Sequence, residues 1–162
     1  MSQRLAVLLA LGAFVFASNA QAEPQAEPPK ADSAVKKIEW CRLQHPGEIT
    51  MKAKTKSEYV YGQVYIPNCS EGAKHCSGVI ANACITPKGE KKYSCFPAKQ
   101  NKEFRTDTNN DEYMVEVYAA NPGEYALIYK FSLDDGLNWV ECDFDDDAGF
   151  DIQKAGKVIV TE

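Results

Sequence analysis

The chain has 162 residues, with 23 acidic and 18 basic side chains, a formal net charge of -5 and 44% hydrophobic residues. An acidic surface repels phosphate backbones and anionic lipids, which argues against nucleic-acid and membrane-surface partners. The length suits one domain with a real core.

The N-terminus reads as an export signal over residues 1–22. Arg4 supplies its positive charge, residues 5–16 form an apolar run too short to span a bilayer, and Ala20 and Ala22 mark cleavage before Glu23. Loss of Arg4 takes the net charge to -6. No second apolar stretch offers a transmembrane helix, so no membrane insertion is expected. Residues 23–36 are rich in Pro, Ala and charge and lack aromatics, a composition that reads as a flexible tether.

From residue 37 to 162 the texture changes to short runs of Val, Ile, Tyr and Phe separated by Gly, Pro, Asn and Asp. This is an all-β pattern, spaced as in an antiparallel sandwich. The runs predict strands over 38–44, 48–52, 58–66, 78–85, 91–96, 112–118, 124–133, 137–143 and 158–161. Pro87-Lys88-Gly89-Glu90 and Asp134-Asp135-Gly136 read as hairpin turns. Alternation assigns Val60, Val64, Ile66, Tyr113, Val115, Val117, Tyr125, Leu127, Tyr129, Phe131 and Leu133 to the core. It turns Tyr59, Tyr61 and Tyr65 outward.

Six cysteines, Cys41, Cys69, Cys76, Cys84, Cys95 and Cys142, all follow the signal. An even count in an exported chain predicts three disulfides and a secreted or periplasmic location. Cys84 and Cys95 flank the 87–90 turn, Cys69 and Cys76 bracket a short loop, and Cys41 is left for Cys142. The rival pairing, Cys69–Cys95 with Cys76–Cys84, stays open at this level. A zinc site from Cys69, His75, Cys76 and Cys84 is the sharper alternative, disfavoured by compartment and spacing.

Several segments together carry a resemblance: Trp40-Cys41-Arg42-Leu43-Gln44, Asn109-Asn110-Asp111-Glu112-Tyr113-Met114, and Tyr129 to Gly136 followed by Trp139 and Cys142-Asp143. The set resembles an Ig-like β-sandwich module that recurs in secreted bacterial proteins. It is loosely similar to starch-binding sandwich modules, which also carry a Tyr-rich strand and a late-hairpin Trp. The resemblance implies an antiparallel Ig-like β-sandwich, here stapled by disulfides. Cys69, Cys76, Cys84 and Cys95 depart from that pattern.

Candidate ligand-binding residues are Trp40 and Trp139, each expected on the face opposite its neighbouring cysteine and close to the other. Indoles there would form a stacking platform for sugar rings; the alternative employment is core or edge packing. Tyr59, Tyr61, Tyr65 and Tyr118 form a second aromatic set, for which ordinary strand propensity is the bland account. Asp143, Asp145 and Asp147, together with Asp134 and Asp135, form a candidate calcium loop, although its Gly149 falls one place late for an EF-hand; the 109–112 stretch would add ligands only if it lay beside them, and more simply starts a strand. Asn68-Cys69-Ser70 matches an N-glycosylation signal. His45 and His75 lie in no nucleophile motif, and no catalytic constellation is present. The expectation is therefore an exported noncatalytic binding module for a surface glycan or polysaccharide. The rivals are a protein-interaction or inhibitor module using the Cys69–Cys76 loop, and an envelope protein rigidified by calcium.

Overall fold

Among the described residues, alternating apolar residues, punctuated by turn-forming Gly, Asp and Pro, give nine strands and one short 3-10 turn. The computed structural model describes residues 36–72, 75–104, 109–145 and 149–162. The expected export signal and the tether before Lys36 lie outside the described residues. The strands are β1 (Trp40–His45), β2 (Glu48–Lys52), β3 (Lys56–Tyr65), β4 (Ile80–Pro87), β5 (Ser94–Gln100), β6 (Asp111–Tyr118), β7 (Gly123–Ser132), β8 (Val140–Cys142) and β9 (Gly156–Thr161). Among the described residues there is no α-helix, and none long and apolar enough to cross a membrane.

Hydrogen bonding joins the strands in the order β1-β3-β6-β5-β4-β7-β9-β2, with β8 on the flank of β7, along a nearly barrel-shaped path. β5 turns the corner: residues from Ser94 to Ala98 pair with β4, then Lys99 and Gln100 pair with β6. Pro97, which has no N–H to donate, sits just before this change of partner, where its other side needs no ladder bond. The two ends of the path are the consecutive strands β1 and β2, separated only by Pro46 and Gly47.

Three strand expectations are corrected. The sheet is not wholly antiparallel, because β2 runs parallel to β9 from the Glu48↔Lys157 pair to Lys52↔Thr161. β8 is three residues long, shorter than the expected 137–143. Asp135 and Gly136 turn the chain at positive φ (56° and 85°), and Asn138 gives its backbone and side-chain donors to Asp134 rather than to a ladder. β5 starts later and ends later than expected, because the Thr86 hydroxyl bonds the Lys92 carbonyl at 3.0 Å and holds residues 88–92 as a loop.

The core fills the space between β1, β3, β6 on one side and β4, β7, β9 on the other. Leu43, Val60, Val64, Ile66, Val117, Leu127, Tyr129, Phe131 and Val158 are all fully buried. Val115, Tyr125 and Leu133 are half-buried against that cluster. Tyr129 is the central piece. Its hydroxyl reaches across from β7 to the Tyr113 carbonyl of β6 (3.0 Å), with the Val60 carbonyl of β3 at 3.2 Å. Its ring lies on Gly62 of β3, where a Cβ would overlap ring carbons Cγ and Cδ1. Desolvation in this site raises the Tyr129 phenol pKa, so the hydroxyl stays a neutral donor.

The described cysteines form three disulfides: Cys41–Cys142, Cys69–Cys76 and Cys84–Cys95. No cysteine is free, which removes the rival pairing and leaves no thiolate for the alternative zinc site. Cys84 and Cys95 face each other across the β4–β5 ladder. Cys41–Cys142 spans 101 residues and bolts β1 to β8. Beside it the Leu43 N–H donates to the Asp143 carbonyl at 2.6 Å.

Two stability outcomes follow. Gly62→Ala should lower unfolding stability by at least about 2 kcal/mol in urea denaturation, because the added methyl must displace a close-packed ring and its hydrogen bond. Replacing Cys41 and Cys142 together with Ser should cost about 4.7 kcal/mol, the loop-closure value for a crosslink of this span. An unchanged urea midpoint in that double variant would show that the ladders alone hold β1.

Candidate functional site

Trp40 opens β1 on its outer side, directly opposite Tyr65 of β3. The Arg42 guanidinium, two residues along the same face, stands over the indole at 5.7 Å. Trp139 follows the turn between β7 and β8. Its indole N–H donates to the Gly136 carbonyl at 2.9 Å. The ring lies so close to Gly136 that a Cβ there would meet it at 3.3 Å. Gly136 is therefore required twice, for its left-handed φ of 85° and for room under the indole.

The turn that carries Trp139 is built around one carboxylate. Asp134 Oδ1 accepts from the Ser132 hydroxyl (2.8 Å) and the Asn138 N–H (2.9 Å), and Oδ2 accepts from the Asn138 amide (2.6 Å). The Asn138 side chain, then its backbone N–H, hold the Asp134 carboxyl below the usual carboxylate range.

Both tryptophans are half-buried, and neither belongs to the buried core. They line one groove of about 460 Å³, together with Ile38, Val140, Phe150 and both sulfur-bonded residues Cys41 and Cys142. The groove runs along the seam where β1 meets β8, so the disulfide that closes the seam also brings the two indoles together.

The tyrosine row adjoins this groove through the Trp40–Tyr65 pair. Tyr59 and Tyr118 are exposed, and Tyr61 and Tyr65 are half-buried. Tyr61 stacks on His45 with centroids 4.3 Å apart, and the Lys99 ammonium stands 5.3 Å from the Tyr59 ring. The Tyr65 hydroxyl donates to Glu71 at 2.6 Å, which raises its pKa. Beneath the row lies a buried polar network that the sequence reading missed. Glu112 accepts from the Gln63 amide (3.3 Å) and the Asn101 amide (2.8 Å), and Gln63 and Glu112 are both buried. Strand alternation places Gln63 among the tyrosines, but pattern alone does not reveal that its neighbours cover it.

The acidic loop is organised by the protein itself. Asp143 is buried, and its oxygens accept the N–H groups of Asp145 (3.2 Å) and Asp151 (2.6 Å). Asp145 is ion-paired with Lys154 at 2.5 Å. Asp147 lies outside the described residues. Among the described residues no group of three or more His, Cys, Asp or Glu side chains is placed to hold a metal ion. His75 bonds the buried Asp111 at 2.9 Å, and Asp111 also accepts the Cys76 N–H at 2.7 Å, which fixes the end of the Cys69–Cys76 loop. In the glycosylation signal the Ser70 hydroxyl is buried and bonds the Asn109 carbonyl at 2.7 Å.

A larger groove, about 800 Å³, lies on the other sheet beside Lys88, Tyr93, Glu124 and Lys157. Four of its charged residues are paired among themselves: Lys88 with Glu124 at 2.9 Å and Lys157 with Glu48 at 2.6 Å. The Lys88 contact lowers the Glu124 pKa and the Glu48 contact raises that of Lys157. Self-paired charges offer a ligand less than two indoles that face a shared cleft, so the smaller groove is the candidate site. No protein-family model matches the chain, and no curated protein sequence matches it.

The turn should be acid-sensitive. A carboxylate with a depressed folded pKa stabilises fully above its unfolded value and loses that contribution as pH falls through the folded value. In a Trp40→Phe background, where Trp139 is the sole indole, emission should hold steady from neutral pH to about 4 and shift to the red below that. Asp134→Asn should abolish this acid step.

Proposed function

We propose that the chain is an exported, noncatalytic binding module that takes a glycan or polysaccharide in the groove between Trp40 and Trp139. The observation that carries this reading is the convergence of both indoles, with Phe150, on one open cleft. Sugar rings present apolar C–H faces that stack on aromatic faces, while their hydroxyls stay in water or reach polar rim groups. Tyr59 and Tyr61 extend the aromatic surface beyond Trp40 and Tyr65, which suits a chain longer than the groove.

The three disulfides support an extracytoplasmic location, since such bonds persist where thiols are oxidised. The strand order supports an Ig-like sandwich. One half, β1-β3-β6-β5, matches the sequence of neighbours A-B-E-D, and β4-β7-β9 matches C-F-G. On this assignment the pair that meets across the core, where B and F carry a disulfide in antibody domains, is Gly62 under Tyr129. The resemblance to the module of secreted bacterial proteins is part of the same proposal, and the fold alone would not assign a ligand.

Retention on immobilised polysaccharides tests the reading. Trp40→Ala and Trp139→Ala should each weaken binding about tenfold or more, as expected for central aromatic anchors, with melting temperatures close to wild type. Wild-type retention in both variants would remove the groove as the site.

A further inference from the structure

The charged residues that line the groove are all acidic, with Lys130 paired to one of them and Arg42 over the Trp40 ring. Glu39, Glu141 and Asp143 line it, and none of its lining residues is basic. The three carboxylates are not equivalent. Asp143 is buried and holds backbone N–H groups of its own loop. Glu141 is partly exposed and paired with Lys130 at 2.5 Å. Glu39 is exposed and lines the groove, without a hydrogen bond or ion pair to its carboxylate among the described residues; its charge also bears on the nearby Tyr65 phenol.

We propose that this groove selects an amine-bearing sugar, an oligosaccharide or polymer whose rings carry protonated amino groups. The proposal rests on the glycan reading above and names its ligand class. The indoles supply platforms for the ring, and an ammonium on that ring gains the Glu39 carboxylate and the π-face of Trp139, since the Arg42 guanidinium already stands over Trp40. Neutral sugars gain only the stacking. Uronic-acid or sulfated sugars meet repulsion from Glu39 and from a chain of net charge -5.

A basic peptide shares the positive charge but fits the cleft less well. An extended peptide gains affinity by adding a strand to a free edge. Cys41 and Cys142 hold β1 and β8 at a Cα separation of 5.6 Å. A strand inserted between them needs two spacings of about 4.8 Å each, so the seam does not admit one. The volume, about 460 Å³, lies within the range of clefts for compact ligands, about 300–1,000 Å³.

Isothermal titration with four soluble probes at low and high salt tests this. The probes are free-amine glucosamine oligomers, N-acetylglucosamine oligomers of the same length, galacturonate oligomers and a lysine oligopeptide. The free-amine oligomer should bind about tenfold tighter than the acetylated one at low salt, and the ratio should shrink as added salt shortens the screening length. Galacturonate oligomers should not bind. Glu39→Gln should erase the amine preference and leave the weaker neutral binding in place. Trp139→Ala, which keeps every charge, should weaken both sugar probes. Equal affinity for amine and acetylated oligomers would overturn the amine selection and leave the glycan reading standing. Absence of binding by every sugar probe would overturn both. Tight binding of the lysine peptide with the same Trp139 dependence would overturn the inference in favour of a basic protein partner. Amine binding that survives Trp139→Ala intact would reduce the effect to diffuse charge attraction and overturn it too.

Discussion

The bond between Cys41 and Cys142 is the constraint on which the candidate site depends. β1, one end of the strand path, lies against β8 on the flank of β7, and at that seam one covalent link and the Leu43–Asp143 hydrogen bond join them. The Cys41 side chain is directed toward the interior, so Trp40, one residue before it on β1, faces outward. Trp139 precedes β8 and is set by the turn, its indole N–H on the Gly136 carbonyl. The crosslink that closes the body thereby also assembles the aromatic groove.

The interior is organised by a different contact. Tyr129 crosses from one sheet to the other and needs a missing side chain beneath it, which Gly62 provides. Gly156 plays the same part under Leu43, and Ala81 and Ala83 keep β4 thin where Tyr129 and Phe131 stack. Large residues of one strand sit over small residues of another, so the two halves interdigitate at close-packed density. With that spacing set, the outer face of β1 and β3 is left free to carry Trp40, Arg42 and the tyrosines.

Much of the fold was legible because it is local. Period-two alternation in 124–133 placed Leu127, Tyr129 and Phe131 inside, and the same rule in 58–66 turned Tyr59, Tyr61 and Tyr65 outward. The Asp134-Asp135-Gly136 turn was readable from its need for positive φ. Cys84 opposite Cys95 was one of two pairings that the cysteine spacing left open, and the hairpin geometry favoured it. What escaped is nonlocal. The parallel β2–β9 pairing depends on where the chain emerges after Gly47, and the double allegiance of β5 depends on two strands distant in sequence. Ile128 is fully buried on the face opposite Tyr129, beside Cys84, although alternation alone would expose it. For the site, the indoles and outward tyrosines were visible as residue types. Their meeting in one groove depends on a crosslink over 101 residues, and the Gln63–Glu112–Asn101 network on three separate strand ends. In the acidic run residue type suggested cation ligands, whereas the partners of Asp143 and Asp145, loop N–H groups and Lys154, depend on the folded loop.

The position of Ile38, Glu39 and Trp40 has a mechanical consequence. These residues form a wall of the groove and are also the first stretch of chain to enter the sheet, with the Glu39 N–H making an early rung to Tyr65 at 3.1 Å. Traction applied from the upstream side would reach only as far as Cys41 before meeting a covalent stop. Such a load would tug on the cleft and its occupant while the rest of the barrel stayed shielded, so grip and tension share the same three residues.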